Sequence, residues 1–162
     1  MIRVMLVLVF VAASVGIDAG EPPQLGVGSA RVFVPAVVLF NVPDVNVQTS
    51  ASGPVTVSFD TAILLLGQAL RISVRADGDL TLPSGPPIPA TNILWTASNA
   101  VNGIAFNGTL SKTVYTPVYE SNIGAISGRV DITWTLSPPG GTILRSGSRS
   151  ASLRWRFESV TP

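Results

Sequence analysis

The sequence predicts an all-β chain folded as a single antiparallel β-sandwich, preceded by an export signal. Three observations predict it. After the first twenty residues the apolar positions recur with period two in short segments bounded by Gly, Pro, Asn or Ser, the pattern of strands with one buried face. No later stretch sustains a 3.6-residue period for ten residues, which disfavours a parallel fold with crossover helices. Strong helix formers are scarce, with Lys112 the one lysine and Glu21, Glu120 and Glu158 the only glutamates, whereas Val, Thr and Ser abound.

The N-terminal segment "MIRVMLVLVFVAASVGIDAG" places Arg3 before an apolar run from residue 4 to about 11 and then small residues, the layout of a cleavable signal peptide. The run, broken by Ser14 and Asp18, falls short of the about 20 apolar residues of a membrane span. Residues 1–20 are therefore expected to direct export, with an uncleaved N-terminal anchor as the alternative, residues 21–29 to be a Pro- and Gly-rich linker, and residues 30–162 to form the domain. The expected location is secreted or cell-surface, with no membrane span in the mature chain.

Residues 30–40, "ARVFVPAVVLF", are apolar on both parities apart from Arg31 and Pro35. They fit either a strand buried on both faces or one shared between two sheets with a bend at Pro35. "DVNVQT" and "PVTVSFD" alternate and read as half-buried strands. Leu70, Ile72 and Val74 alternate with Arg71, Ser73 and Arg75, a strand expected to close at Asp77-Gly78-Asp79 in a type I′ turn. Four prolines in residues 82–91 mark a loop. "NILWTAS", "GIAFNGTL", "KTVYTPVYES", "GRVDITWTL" and "SASLRWRFESV" complete the strands, the last two being expected to form a closing hairpin.

Side chains on a strand alternate between faces, so parity assigns the tryptophans. Trp134 shares a face with Val130, Ile132 and Leu136, opposite Arg129 and Asp131; Trp155 shares one with Leu153 and Phe157, opposite Arg154, Arg156 and Glu158. Exposing the rings would bury the charges, at several kcal/mol for each unpaired ion, roughly. Burying an aromatic ring contributes about 1.5–3 kcal/mol instead. Trp134 and Trp155 are expected in the core, and so is Trp95, although Leu94 on its other face weakens the parity argument. Tyr115 and Tyr119 share a parity with Thr113 and Pro117 and are the best candidates for an exposed aromatic contact; with Trp95 they form the candidate ligand-contact set.

Charge and composition exclude several chemistries. The chain is 46% apolar and only 12% charged. Without Arg3 and Asp18, its ten basic and nine acidic residues become nine and eight, still a net charge of +1. No basic run is dense enough to follow phosphates, so no nucleic-acid partner is expected. Cysteine and histidine are absent, which removes disulfides, His triads and His metal sites. Asp77 and Asp79 lack the further acids of a calcium loop. No spacing singles out a carboxylate pair, and Ser111 beside Lys112 points the opposite way on a strand. The chain is expected to be no enzyme, with no catalytic residues, no metal and no cofactor. Asn107 in "NGT" matches a glycosylation acceptor that a turn explains equally well.

The succession of a signal peptide, "VSFD…LLLGQALRISVRAD", a Pro-rich middle and a close on "GRVDITWTLSPPGG" and "LRWRFES" resembles secreted bacterial surface β-sandwiches. It is similar to fimbrial or spore-coat-U-like pilin domains and to cell-wall-binding WxL domains, Trp134-Thr135-Leu136 reading W-x-L. The resemblance implies an immunoglobulin-like or pilin-like sandwich that partners other surface proteins, copies of itself or a cell-wall glycan. In the pilin case it implies assembly by strand donation, with residues 30–40 either the donor or the domain's own first strand. The function expected is structural or adhesive, the alternative a carbohydrate- or cell-wall-binding module using exposed aromatics.

Overall fold

The computed structural model describes residues 4–9, 29–42, 44, 46–64, 66–81, 86–137 and 149–162. The remainder of the expected signal, residues 1–3 and 10–20, and the expected linker at 21–28 lie outside them. The described chain is an antiparallel β-sandwich. Its strands are β1 (Val4–Val9), β2 (Ser29–Phe33), β3 (Val37–Val42), β4 (Thr49–Ser50), β5 (Val55–Ile63), β6 (Ala69–Ala76), β7 (Ile93–Val101), β8 (Gly103–Ala105), β9 (Gly108–Thr109), β10 (Thr116–Ser121), β11 (Gly128–Leu136) and β12 (Leu153–Val160). A short 3-10 turn at Ala90–Asn92 leads into β7.

One sheet runs β2-β5-β11-β7-β9, with β4 also on β11; the facing sheet runs β12-β6-β10-β8; β1 and β3 form a third pair. The apolar segment at 30–40 does pass between sheets: it divides around Val34-Pro35-Ala36 into β2, paired with β5, and β3, paired with β1. β11 is the central strand. Its side chains Val130, Ile132, Trp134 and Leu136 are buried in strict alternation. In the opposite sheet Ile72, Val74 and Ala76 of β6 and Leu153 and Trp155 of β12 close the core from the other side.

All three indoles are interior, as parity requires, with Trp134 fully buried, Trp95 at 2% and Trp155 at 8% exposure. Trp95 lies directly across from Trp134 in the β7–β11 register, ring centroids 5.4 Å apart and tilted by 55°. Such tilted pairs contribute roughly 0.5–1.5 kcal/mol beyond their burial. Trp95 Nε1 donates to the Phe106 carbonyl at 2.8 Å, which removes the cost of a buried, unmade hydrogen bond. Gly108 makes room for this ring, because a Cβ there would overlap the indole.

Three local expectations are corrected. β11 and β12 do not form a hairpin: β12 pairs with β6 along its whole length, so the two tryptophan strands lie in different sheets. Both retain their inward indoles, because parity fixes the face a ring occupies and says nothing of the strand's neighbour. "DVNVQT" contributes only Thr49 and Ser50 to a strand; Val47 sits in a turn and is exposed. The turn there is set by Asp44, whose Oδ1 accepts from Asn46 N at 2.9 Å, a local bond that competes with strand pairing. After β6 the chain does not return as a hairpin. Neither Asp77 nor Gly78 has the positive φ that a type I′ turn demands, and the flanking partners of β6 are β10 and β12.

Outer faces are held by polar pairing. In β7 a bulge sets Asp131 opposite Ser98 and Arg129 opposite Val101, and Asn99 takes φ +52 within it, a conformation that asparagine tolerates better than most residues. This turns Asn99 Nδ2 onto Asp131 Oδ2 at 2.9 Å, while Thr56 Oγ1 donates to Oδ1 at 2.7 Å. The carboxylate thus ties β5, β7 and β11 together. The Asn99 hydrogen bond first, and then that from Thr56, hold its pKa below the ordinary carboxylate value.

Two outcomes follow from these contacts. Trp134→Ala is expected to cost about 3–5 kcal/mol of unfolding free energy, the scale of an aromatic deletion that leaves a cavity, read by urea titration against the whole chain. A depressed folded pKa contributes stability that is present above the unfolded carboxylate pKa and lost as pH falls through the folded value. Asp131→Asn should therefore flatten the acid limb of the stability profile below about pH 4 in chemical denaturation across that range.

Candidate functional site

Three features of the surface bear on function: the set Trp95, Tyr115 and Tyr119, the loops at one end of the sandwich, and the outer edge of β3. Trp95 belongs to the core. Above it runs a shallow groove of about 430 Å³ whose lining includes Leu94 and the Trp95 ring as well as Gln48, Thr96, Asn107 and Thr135, so a ligand would meet a mixed apolar and amide-hydroxyl surface there. Asn107 is engaged within it, its Oδ1 accepting from Ala97 N at 2.8 Å.

Tyr119 is also buried, with no exposed surface, in contrast to the parity it was assigned. The reason is a bulge in β10: Pro117 lies opposite Ser73 and Tyr119 opposite Ile72, leaving Val118 as the extra residue. Such an insertion shifts every later side chain to the other face, and Val118 and Tyr119 are consecutive buried residues. The Tyr119 hydroxyl donates toward the carbonyls of Val101 and Asn102 at 2.8 and 2.9 Å. Its ring packs on Phe59 at 6.0 Å. A Cβ at Gly103 or Gly128 would overlap that hydroxyl, so both glycines are required by its close approach. Burial pushes its pKa up to about 12.

Tyr115 alone of the three retains partial exposure. The guanidinium carbon of Arg75 lies 5.0 Å from its ring centroid and that of Arg156 5.5 Å. Sequence reasoning selected Tyr115 and passed over the two arginines. The outward alternation of Arg71, Ser73 and Arg75 was visible, but only the register of β12 on β6 brings Arg156 to the same ring.

The acids considered for catalysis or metal binding are engaged elsewhere. Asp77 pairs with Arg154; Asp79 binds Lys112 Nζ at 2.7 Å and accepts from Ala90 N at 3.0 Å. Those bonds, Lys112 first, lower the Asp79 pKa. Glu120 pairs with Arg71 and Glu158 with Arg156. Ser111 Oγ accepts from Thr113 N and Val114 N, at 3.2 and 3.1 Å.

At one end of the sandwich three loops converge. Ala62 N donates to Ile126 O, Gly124 N to Gln68 O and Asn122 N to Asn102 O, at 3.0, 3.0 and 2.7 Å. These joined loops expose Ile63, Leu66, Ile123 and Ile126, with Ile104 beside them, each at 59% or more. Residues 61–70 and 121–128 contain no charged side chain. Clusters of exposed apolar side chains of this kind commonly mark interaction sites.

The third feature is β3. Val38, Phe40 and Val42 point into the core while Val37 and Leu39 are exposed. Leu39 O accepts from Ser52 N at 3.1 Å and from Ser52 Oγ at 3.2 Å. Because main-chain groups alternate sides along a strand, those of Val38, Phe40 and Val42 turn to the other edge, where β1 lies antiparallel from Val4↔Val42 to Val9↔Val37.

No protein-family model matches the chain, and no curated protein matches it. Among the described residues no helix is long and apolar enough to cross a membrane.

A titrating group whose folded pKa is raised contributes stability below its unfolded pKa and loses it as pH rises through the folded one. For Tyr119 that window runs from its ordinary 10 to about 12. Tyr119→Phe should lower stability at neutral pH by about 1–3 kcal/mol through the undonated carbonyls. It should also remove part of the alkaline decline, as followed by denaturant unfolding across that window.

Proposed function

We propose that the protein is an exported, non-enzymatic structural or adhesive subunit of the cell surface that assembles with copies of itself or with other surface proteins. One observation carries this reading: the outer edge of β3 is covered by β1, and β1 consists of residues that read as the apolar run of a signal peptide. If export removes that run, β3 is left with unpaired N–H and C=O groups on Val38, Phe40 and Val42. A row of unpaired main-chain groups is a template for another strand. The edge accepts an extended apolar segment, since "VMLVLV" is the sequence it carries in the whole chain. The resemblance to pilin domains supports the same mode of assembly, and the uncharged loop end offers a second surface for contact.

A second reading, a carbohydrate- or cell-wall-binding module, is favoured by Tyr115, whose partly exposed ring stands between two arginines.

Sedimentation of the chain beginning at residue 21 tests the first reading. It should form dimers or larger species that the full-length chain does not, and excess soluble peptide carrying the β1 sequence should dissolve them. Leu39→Lys, placing a charge on an exposed edge position, should weaken them as well. A shortened chain that stays monomeric at high concentration would count decisively against assembly through this edge.

A further inference from the structure

We infer that the outer face of the β12-β6-β10 sheet carries an oxyanion site, formed by Arg75, Arg156 and Tyr115, that takes a carboxylate group of an acidic saccharide. The inference rests on the proposed surface role only for the choice of a saccharide as the carrier. The site itself follows from register and charge.

On β6 the outward positions are Arg71, Ser73 and Arg75; on β12 they are Arg154, Arg156 and Glu158. The pairing sets Arg154 opposite Arg75, Arg156 opposite Ser73 and Glu158 opposite Arg71. Three of these four arginines have acids: Arg71 on Glu120 at 2.8 Å, Arg154 on Asp77, and Arg156 on Glu158 at 2.7 Å. Arg75 has none. Its direct cross-strand neighbour is another arginine, an arrangement that destabilises a sheet. Its Nε is buried without a hydrogen-bond partner, which also carries a cost.

Tyr115 partly offsets this, since two guanidinium groups lie within cation–π range of its ring. A ring quadrupole attracts a cation without neutralising it. The face therefore retains one uncompensated positive charge beside a second guanidinium, and no hydrogen bond engages the Tyr115 hydroxyl among the described residues. A planar carboxylate fits this arrangement, because a guanidinium fork can bind its two oxygens together.

The surroundings select among anions. Asp77 and Glu158 flank the pair, and their charges repel a dense polyanion such as a nucleic acid or polyphosphate more than an isolated carboxylate spaced by neutral sugar rings. The neighbouring outward groups on β6 and β12 are Ser73 and charged side chains, and on β10 the partly exposed Pro117 lies opposite Ser73, so titration with glutamic-acid peptides decides between a saccharide and a peptide carrier.

The test is calorimetric titration of the full-length chain at low salt with glucuronic-acid oligosaccharides, with neutral gluco-oligosaccharides and glutamic-acid oligopeptides alongside. Expected are saturable binding of the acidic saccharide alone and weakening by added salt. Arg75→Gln should reduce affinity roughly tenfold, the scale of one charge-assisted contact, and Arg31→Gln on the other sheet should leave it unchanged. Arg156→Gln, at a more exposed position, should also weaken binding and serves should Arg75→Gln fail to fold. Failure of the acidic saccharide to saturate, or undiminished binding by both folded variants, would overturn the site. Equal binding of the glutamic-acid peptides would overturn its assignment to saccharides. Sedimentation of the shortened chain reads the β3 edge separately, so either idea can fail alone.

Discussion

The structure depends on the two-residue period of β11. This strand is the middle of the larger sheet, taking β5 and β4 along one side and β7 along the other, so the face it turns inward is imposed on its neighbours by register. Val130, Ile132, Trp134 and Leu136 therefore enter the core together, and Trp134 meets Trp95 across the ladder. A slip of one residue would put Arg129, Asp131 and two threonines in their place. The cost of burying those charges without partners far exceeds any loss of ladder geometry, which is why the register is well specified in a chain with few charges to spend on specificity.

Close packing around two aromatic rings sets the rest of the interior. Tyr119 reaches its carbonyl acceptors only because Gly103 and Gly128 leave the space, and Trp95 lies flat only because Gly108 does. These glycines occur in the strands β8, β9 and β11, where a glycine normally weakens pairing. Here the missing side chain is repaid in ring burial and in hydrogen bonds from Tyr119 Oη and Trp95 Nε1. The same geometry explains why the two tyrosines four residues apart differ so much in surroundings. The extra residue Val118 turns one ring into the core and leaves the other on the surface beside Arg75 and Arg156.

The sandwich itself and the inward tryptophans were legible because each is a matter of parity and composition, properties written in consecutive residues, and the passage of residues 30–40 between sheets was one of the two readings their composition allowed. What was not legible depends on pairing between distant residues or on a single inserted one. The sequence of β11 and β12 is alike, with an arginine and a tryptophan in each, and a hairpin was the economical reading; the long connection between them allows a change of sheet that no local pattern reports. Val118 gives no sign of being a bulge except the preceding Pro117, which cannot donate to the ladder. The Arg75–Tyr115–Arg156 cluster unites β6, β12 and the residue just before β10, so alternation could mark the arginines as outward without placing the three together.

The unequal treatment of edges in this fold carries the functional reading furthest. The smaller sheet ends on β12 and β8, and β12 crosses its outward face with Arg154, Arg156 and Glu158, charged positions that deter unwanted pairing. The exposed positions of β3 are instead Val37, Leu39 and Asn41, without a charge among them. An edge left this apolar is stable in isolation only while something covers it, and in the whole chain that cover is a strand drawn from the very segment expected to be lost on export. The β8 end of the smaller sheet is also uncharged, but its three residues Gly103–Ala105 offer a short ladder, whereas the six residues of β3 would offer a longer one to the proposed strand addition, were β1 removed.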